Sequence, residues 1–325
     1  MPEMTLIEAV NAAMSYEMAV DESVVVLGED VGSNGGVFRA TDNLQQKYGE
    51  LRVIDTPLAE SLICGMSVGL AAQGLKPVAE IQFMGFIFAA FDQVICHASR
   101  MRNRTRGRIT CPMVLRAPYG GGIHAPEHHS ESTEAIFAHV PGIRVVIPSS
   151  PARAYGLLLA AIRDPDPVVF LEPKRIYRAQ SENVADDGQA LPLDVCFTLR
   201  QGSDITLISW GAMLSETLQA AQTLAEQGID AEVIDLASIK PIDKVTILES
   251  VEKTGRCVIV SEAAKSGGVA AEISAIIAEE GLTSLLAPIL RVCGHDTVMP
   301  MFKLEQKYMP SVQQIITAVS KVMEF

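Results

Sequence analysis

Short apolar runs alternate with helical segments along most of the chain. An amphipathic pattern over residues 5–19 predicts a helix, and the run VVVLGED (24–30) after it predicts a strand. Later runs such as PVVFLEP (167–173) are apolar at nearly every position, which is typical of strands covered on both faces of a parallel sheet. The repeating order of strand, helix and strand therefore predicts an α/β fold.

The alternation stops between about residues 174 and 202 and then begins again. Polar residues, Pro192, Gly188 and Gly202 give this stretch the composition of a linker. We expect a second α/β unit to start at the strand DITLISW (204–210) and to end with a helix near 310–323, whose apolar residues have the spacing of a packing face. Two domains also suit a chain of 325 residues.

One carboxylate, Glu60, lies in an unusually apolar stretch, RVIDTPLAESLICGMSVGLAAQG (52–74). Asp55 or Thr56 is suited to cap a helix and Pro57 to occupy its first turn, so the pattern predicts a helix buried nearly all round. Leu58, Leu62 and Ile63 should then surround Glu60. Burial would raise its pKa and the helix N-terminus would lower it. A proton-transferring carboxylate and a helix-capping glutamate both fit this stretch.

A second group of candidate residues is in the glycine-rich loop YGGGIHAPEHHSES (119–132), which contains His124, His128 and His129. Three interpretations remain open on spacing alone: metal ligands, ordinary surface histidines, or acid–base catalysis at the edge of an open sheet. The spacing of EHHSE does not match the common zinc motifs.

Composition and charge narrow the class of partner. The net charge of −13 disfavours nucleic acid or an anionic membrane, so the alternating arginines from Arg100 to Arg108 suggest a solvated loop or a partner contact. GEDVGSNGG (28–36) lacks the GxGxxG spacing of a dinucleotide loop. The six cysteines have no CxxC pairing, and neither a targeting segment nor a membrane span is evident. A soluble cytoplasmic protein is expected.

Several longer motifs occur in one order along the chain: GEDVG, GGVFRAT, DTPLAE, PVAEIQF, HHSES, PGIRVVIPS, DPVVFLEPK and SVEKTGR. Together, from Met4 to Phe325, they closely resemble the beta subunits of thiamine-diphosphate-dependent 2-oxo acid dehydrogenases. EIQFMGFIFAAFDQV and GGGIHAPEHHSES are most similar to the bacterial pyruvate dehydrogenases. The branched-chain 2-oxo acid and acetoin dehydrogenases share most of these motifs.

The resemblance implies a pyrimidine-binding parallel-sheet domain at residues 1–185, a linker at 186–202 and a transketolase C-terminal-like α/β domain at 203–325. It also implies roles for individual residues. Glu60 would face the aminopyrimidine ring of the cofactor and His129 its thiazolium ring, while Leu58, Gln82 and Phe86 would contact the pyrimidine. Backbone oxygens at Ala161, Asp164 and Asp166 would hold a potassium ion.

No GDG segment, the usual anchor for diphosphate and magnesium in this family, occurs in the chain. We therefore expect an alpha subunit to hold the magnesium and to share the thiamine diphosphate, in an assembly of two alpha and two beta chains with paired beta subunits. The resemblance also implies docking to a dihydrolipoyl acyltransferase core and its lipoyl domain. The rival hypothesis is a non-catalytic assembly subunit.

Overall fold

The computed structural model describes residues 1–325, and the chain divides into two compact units. The first unit comprises Met1–Tyr119 and Ile136–Leu193, and the second comprises Gly120–Ala135 and Asp194–Phe325. The chain therefore leaves the first unit after residue 119, contributes a short segment to the second, and returns before the linker region. None of the helices combines the length and the apolarity needed to cross a bilayer.

The first unit contains helices and strands in the alternation that the sequence predicts. Its strands are β1 (Glu3–Thr5), β2 (Val24–Gly28), β3 (Val53–Asp55), β4 (Lys76–Glu80), β5 (Val114–Tyr119), β6 (Arg144–Val146), β7 (Val168–Pro173) and β8 (Ser181–Asn183). Its helices are α1 (Leu6–Val20), α2 (Leu44–Tyr48), α3 (Glu60–Ala72), α4 (Met101–Arg104) and α6 (Pro151–Arg163), and α5 (Glu134–Ala138) begins in the inserted segment.

The main sheet of the first unit is parallel throughout, with the strand order β6-β7-β5-β4-β2-β3. Strands β2, β5 and β7 are buried at every position. For β7 this confirms the prediction from its nearly continuous apolar run. Helix α1 begins at Leu6 because Thr5 and Glu8 form a capping box, in which the Glu8 carboxylate accepts the Thr5 N–H at 2.8 Å.

Helix α3 begins later than the sequence predicts. Asp55 is the last residue of β3, and its carboxylate accepts the N–H of Gly32 at 2.6 Å instead of capping a helix. The Thr56 N–H then donates to the Gly28 carbonyl at 2.9 Å, which keeps the backbone extended. The expected cap at Asp55 or Thr56 and the expected position of Pro57 in the first turn are therefore wrong, and Glu60 is the first helical residue.

The expected burial of α3 is also wrong within this chain. One face is buried, formed by Ile63, Cys64, Ser67, Val68 and Ala71. Leu58 and Leu62, expected to enclose Glu60, are 70% and 47% exposed. Five buried positions on a helix of 13 residues make it one-sided.

The second unit is also an α/β structure. Its strands are β9 (Phe197–Arg200), β10 (Ile205–Ser209), β11 (Ala231–Asp235), β12 (Ser238–Lys240), β13 (Cys257–Ala264) and β14 (Leu290–Gly294). Its helices are α7 (Leu214–Glu226), α8 (Lys244–Thr254), α9 (Val269–Glu280), α10 (Phe302–Tyr308) and α11 (Val312–Met323).

The sheet of this unit has the order β14-β13-β10-β11-β9, in which only β9 is antiparallel to its neighbour. Its core includes buried residues of β10, β11 and β13 together with α7 and α11. Ile315, Val319 and Val322 of α11 are buried in this core, so the prediction that the last helix packs through its apolar face is confirmed.

Candidate active site

The residues proposed to contact the cofactor pyrimidine follow adjacent strands of the first sheet. Leu58 and Glu60 come after β3, and Gln82 and Phe86 come after β4. Both strands pair with β2 in parallel, so their carboxyl ends lie at one edge of the sheet. Open α/β sheets bind ligands at this edge.

Glu60 lies at the N-terminus of α3, where free backbone amides and the helix dipole favour a negative charge. A capping box requires the glutamate at the third helical position, whereas Glu60 occupies the first, and no backbone amide donates to its carboxylate. The capping interpretation is therefore wrong, and the Glu60 carboxylate remains available for another partner.

Two ionisable groups respond to the charge of Glu60. Glu29 follows β2 directly, and its pKa is raised, first by partial burial and then by the charges of Asp30 and Glu60. Burial raises the pKa of the Cys64 thiol to about 12, with a further contribution from Glu60. The sheet edge thus has two carboxylates close enough to repel. The sequence interpretation missed Glu29, although its position one residue beyond a buried strand was a usable signal.

The segment after β4 forms a 3₁₀ turn over Met84–Ala90 that packs against α3. Ser61 of α3 donates its hydroxyl proton to the carbonyl of Ala89, which ties the helix to the turn. Phe86 in this turn is half-buried, and its ring lies 5.6 Å from that of Phe83. Glu60 on α3 and Phe86 on the 3₁₀ turn therefore lie on two elements joined by a hydrogen bond.

A fully buried ionic network adjoins this edge. Arg116 of β5 donates to Glu172 at 2.6 and 2.9 Å and to Glu80 at 2.9 Å. Tyr177 donates its hydroxyl proton to Glu172 at 2.6 Å. Burial is the main cause that raises the pKa of Glu80. The network also contacts the glycine-rich turn after β2, because Glu80 Oε1 lies 3.1 Å from where a side chain at Gly36 would begin.

The proposed proton-transferring histidine is in the second unit. We define the histidine loop as residues 120–131. A hydrogen bond joins its two ends, since the Gly120 N–H donates to the Glu131 carbonyl at 2.9 Å. His129 ends a short 3₁₀ turn and is half-buried, whereas His128 is exposed, with its Nδ1 3.8 Å from a Glu131 carboxylate oxygen. The structure has no cluster of three or more His, Cys, Asp or Glu residues that could hold a metal ion.

A cavity of about 420 Å³ adjoins the histidine loop within the second unit. Its lining includes Glu127, Ser130 and Glu131 from the loop, and Tyr308 from α10. Burial raises the pKa of Glu131, and it raises the pKa of Tyr308 to about 12, with Glu262 adding to the second shift. The histidine loop therefore contributes polar side chains to the cavity.

The residues proposed for potassium surround the C-terminal end of α6. Asp164 donates its N–H to the Ala161 carbonyl at 3.3 Å, and its carboxylate pairs with Arg144 at 3.1 Å. Asp166 pairs with Arg102 at 2.7 Å, so at least one arginine of the 100–108 run has a partner within this chain. Both carboxylates are therefore paired with arginines, so a cation bound here would be coordinated by the backbone carbonyls at the end of the helix.

Family matches to both halves of the sequence, together with the fold, identify the class of protein. Residues 2–180 match the family described as "Transketolase, pyrimidine binding domain", and residues 196–315 match "Transketolase, C-terminal domain". A solved structure described as "Split gene transketolase, inactive beta4 tetramer" has the same fold, with a TM-score of 0.81, 23% identity and 99% coverage of each chain. These matches confirm the prediction of two transketolase-type α/β domains.

Similarity over the whole chain identifies the family more narrowly. The "Pyruvate dehydrogenase E1 component subunit beta" of Acholeplasma laidlawii is 51% identical, covering 98% of this chain and 97% of that protein. The protein of the same name from Bacillus subtilis (strain 168) is 48% identical over the full length of both. The chain belongs to the family of pyruvate dehydrogenase E1 component beta subunits.

Proposed function

We propose that this chain is the beta subunit of the decarboxylating component of a pyruvate dehydrogenase complex. Its reaction would be the oxidative decarboxylation of pyruvate and the reductive acetylation of lipoyl groups, in which a disulfide accepts the electrons. The observation that carries the proposal is the full-length similarity, at 51% and 48% identity, to two subunits of that name. The carboxylate at the start of α3 gives this assignment a chemical basis.

The residues at the sheet edge fit the pyrimidine end of thiamine diphosphate. A carboxylate (Glu60), an amide (Gln82) and an aromatic ring (Phe86) can respectively hydrogen-bond a ring nitrogen, bind the amino group and pack on the ring face. Leu58 adds an exposed apolar side chain to cover the ring. Bound there, the cofactor would supply the carbanion that attacks the keto carbon of the substrate.

Each chain residue has a separate task in this proposal. Glu60 holds a proton at the pyrimidine ring nitrogen, because a carboxyl group can both accept and donate a proton in a hydrogen bond to that nitrogen. His129 transfers a proton when the acetyl group passes to the lipoyl arm, because an imidazole has one nitrogen that donates and one that accepts. The proposed domain boundaries remain residues 1–185, 186–202 and 203–325.

The diphosphate and its magnesium require a second polypeptide in this proposal. The chain has no GDG segment and no cluster of metal-binding side chains. An alpha subunit would therefore supply both anchors, in an assembly of two alpha and two beta chains. The exposed Leu58 and Leu62 beside Glu60 support a shared site, since another chain can cover them.

Further partners and ions follow from the family assignment. The paired beta subunits would dock on the dihydrolipoyl acyltransferase core, and backbone oxygens of Ala161, Asp164 and Asp166 would hold a structural potassium ion. All six cysteines are free thiols, which suits a reducing cytoplasm. Branched-chain 2-oxo acids or acetoin remain alternative substrates, and a steady-state comparison with pyruvate would distinguish them.

Calorimetry tests the shared site directly. We expect the isolated chain to bind no measurable thiamine diphosphate in the presence of magnesium, because the charged half of the ligand has no anchor. Adding the alpha subunit should produce both binding and decarboxylation. Stoichiometric binding by the isolated chain would refute the shared site.

The catalytic role is tested against the non-catalytic assembly role by Glu60→Gln in the reconstituted complex. Loss of most of the turnover is expected, because an amide cannot exchange the proton. Glu22→Gln, the same charge change at an exposed position of the first unit, is the matched control. Retention of most of the turnover by Glu60→Gln would favour the assembly role.

A further inference from the structure

A buried carboxylate of the second unit binds the backbone of the histidine loop. Glu305 of α10 is 2% exposed, and its two oxygens accept the N–H of Gly122 at 2.6 Å and the N–H of His124 at 3.1 Å. The His124 Nε2 lies 3.5 Å from the second of these oxygens. Hydrogen bonds to a buried ionised acceptor are among the strongest in proteins, so this contact restrains the loop.

The loop backbone needs such a restraint. Gly122 has φ +89° and His124 has φ +60°, both in the left-handed region. Glycine adopts this region freely, but a histidine there is disfavoured unless its surroundings hold it. The two amides that Glu305 binds belong to these two residues, so the carboxylate stabilises the part of the loop that is least stable alone.

Close packing supports the same part of the loop. A side chain added at Gly121 would meet Met299, and one added at Gly120 would meet the buried carboxylate of Glu262. The ring of Phe302, in the first turn of α10, lies 6.1 Å from the ring of His124. The first two residues of the loop are therefore closely packed in the second unit, and His124 contacts Phe302 at the surface.

His129 lies between fixed points of this loop. Glu305 accepts the N–H groups of residues 122 and 124, and the hydrogen bond from the Gly120 N–H to the Glu131 carbonyl joins the two ends of the loop. The His129 N–H donates to the Pro126 carbonyl at 3.0 Å, which continues the ordered backbone up to the imidazole. A shift at residues 122–124 would therefore move His129.

We propose that Glu305 is a positioning residue for acyl transfer, because it sets the conformation of the loop that presents His129. The proposal rests on the proposed function of His129 and adds a role for a residue of the second unit. Glu305 contacts neither substrate nor cofactor in this proposal. It acts only through the loop backbone.

An isosteric substitution separates this role from simple packing. Glu305→Gln keeps the volume, but one of its two polar atoms becomes an NH₂ group that faces a backbone N–H. We expect the amides of the histidine loop to exchange hydrogen at least about tenfold faster in the complete complex with the alpha subunit, since a lost hydrogen bond to a charged group has about this effect. Glu232→Gln, at another buried carboxylate of the same unit that pairs with Lys253, is the control and should leave the loop unchanged.

Two activity assays give the functional readout. Glu305→Gln should lower acyl transfer to lipoyl domains by about tenfold while decarboxylation with an artificial electron acceptor stays within about twofold. The double variant Glu305→Gln/His129→Ala should be no slower in acyl transfer than His129→Ala alone, because both substitutions act on the same step. Glu305→Asp keeps the charge but is one methylene shorter, so it should lose less acyl transfer than Glu305→Gln. If Glu305→Gln fails to assemble, Glu305→Asp should show the same faster exchange and the same loss of acyl transfer at smaller size.

The possible outcomes separate this inference from the proposed function. Unchanged hydrogen exchange in the loop of an assembled Glu305 variant refutes the restraint. Faster exchange with normal acyl transfer, or additive losses in the double variant, refutes the positioning role. If His129→Ala lowers both activities equally, the proposed role of His129 fails and the catalytic half of this inference fails with it, while the exchange rates still decide the restraint.

Discussion

Replacing Arg116 by methionine should destabilise the first unit strongly at neutral pH and much less in mild acid. Arg116 is 1% exposed and is the only cation bonded to two buried carboxylates, Glu80 and Glu172. Methionine fills much of the volume but leaves both carboxylates without a counter-charge. Breaking a buried ion pair in this way typically costs about 3–5 kcal/mol.

The magnitude can be estimated from the proton that the variant must take up. Removing the guanidinium takes one positive charge from the network, so restoring its net charge requires about one further proton in the folded state. Protonating a carboxyl with an ordinary pKa near 4.3 costs about 3.7 kcal/mol at pH 7 and about 1 kcal/mol at pH 5. The folded variant would bind more protons than its unfolded chain, so its stability falls as pH rises through this window. Destabilisation should therefore be about 3–4 kcal/mol at pH 7 and about 1 kcal/mol at pH 5.

Urea unfolding at the two pH values provides the measurement. Trp210, the single tryptophan, is buried in the second unit, so its fluorescence reports that unit while far-UV circular dichroism reports both. Arg102→Met removes a partly exposed ion pair and should cost much less than Arg116→Met at either pH. A loss for Arg116→Met that is small at pH 7, or equal at both pH values, would show that the buried network is not held by the arginine charge.

Two further predictions concern the first unit. Gly142→Ala should lower the free energy of unfolding by about 2 kcal/mol more than Gly49→Ala. The two glycines have nearly equal φ angles, +85° and +84°, but only a side chain at 142 would clash with another group, the Ser99 carbonyl. Equal losses in urea unfolding would mean that φ strain alone decides both. Asp21→Asn should cost about 1 kcal/mol at pH 7, because the hydrogen bond from Ser23, followed by Lys76, lowers the pKa of Asp21 to about 2, and partial exposure screens the effect. That loss should shrink as pH falls from about 4 towards 2, and a loss that persists at pH 2 would contradict the ionic origin.

Elements that depend on local patterns were predictable from the sequence. The helix at residues 5–19 and the last helix carry their apolar faces at helical spacing, and the strands of the parallel sheets show nearly continuous apolar runs. Most of their stabilising contacts follow from which positions are apolar. The structure confirms these elements within a residue or two at their ends.

Features that depend on distant residues were not predictable. Helix α3 starts late because Asp55 binds Gly32, 23 residues before it. Arg116 bonds to Glu80 and Glu172, which are 36 and 56 residues away in the sequence on other strands of the sheet. The predicted burial of Leu58 and Leu62 is wrong because an apolar residue type does not indicate whether its own chain or another chain covers the side chain.

The insertion of the histidine loop into the second unit has a consequence for synthesis of the chain. The loop is held by a hydrogen bond between Gly122 and Glu305, which are 183 residues apart in the sequence. At ribosomal rates of about 5–20 residues per second, the loop would wait roughly 10–40 s for its carboxylate partner to be made. The first unit can pair its strands earlier, but it emerges with these glycines and histidines still without their final contacts. A gene divided between the two units would therefore produce an N-terminal polypeptide whose histidine loop becomes ordered only after the other product has bound.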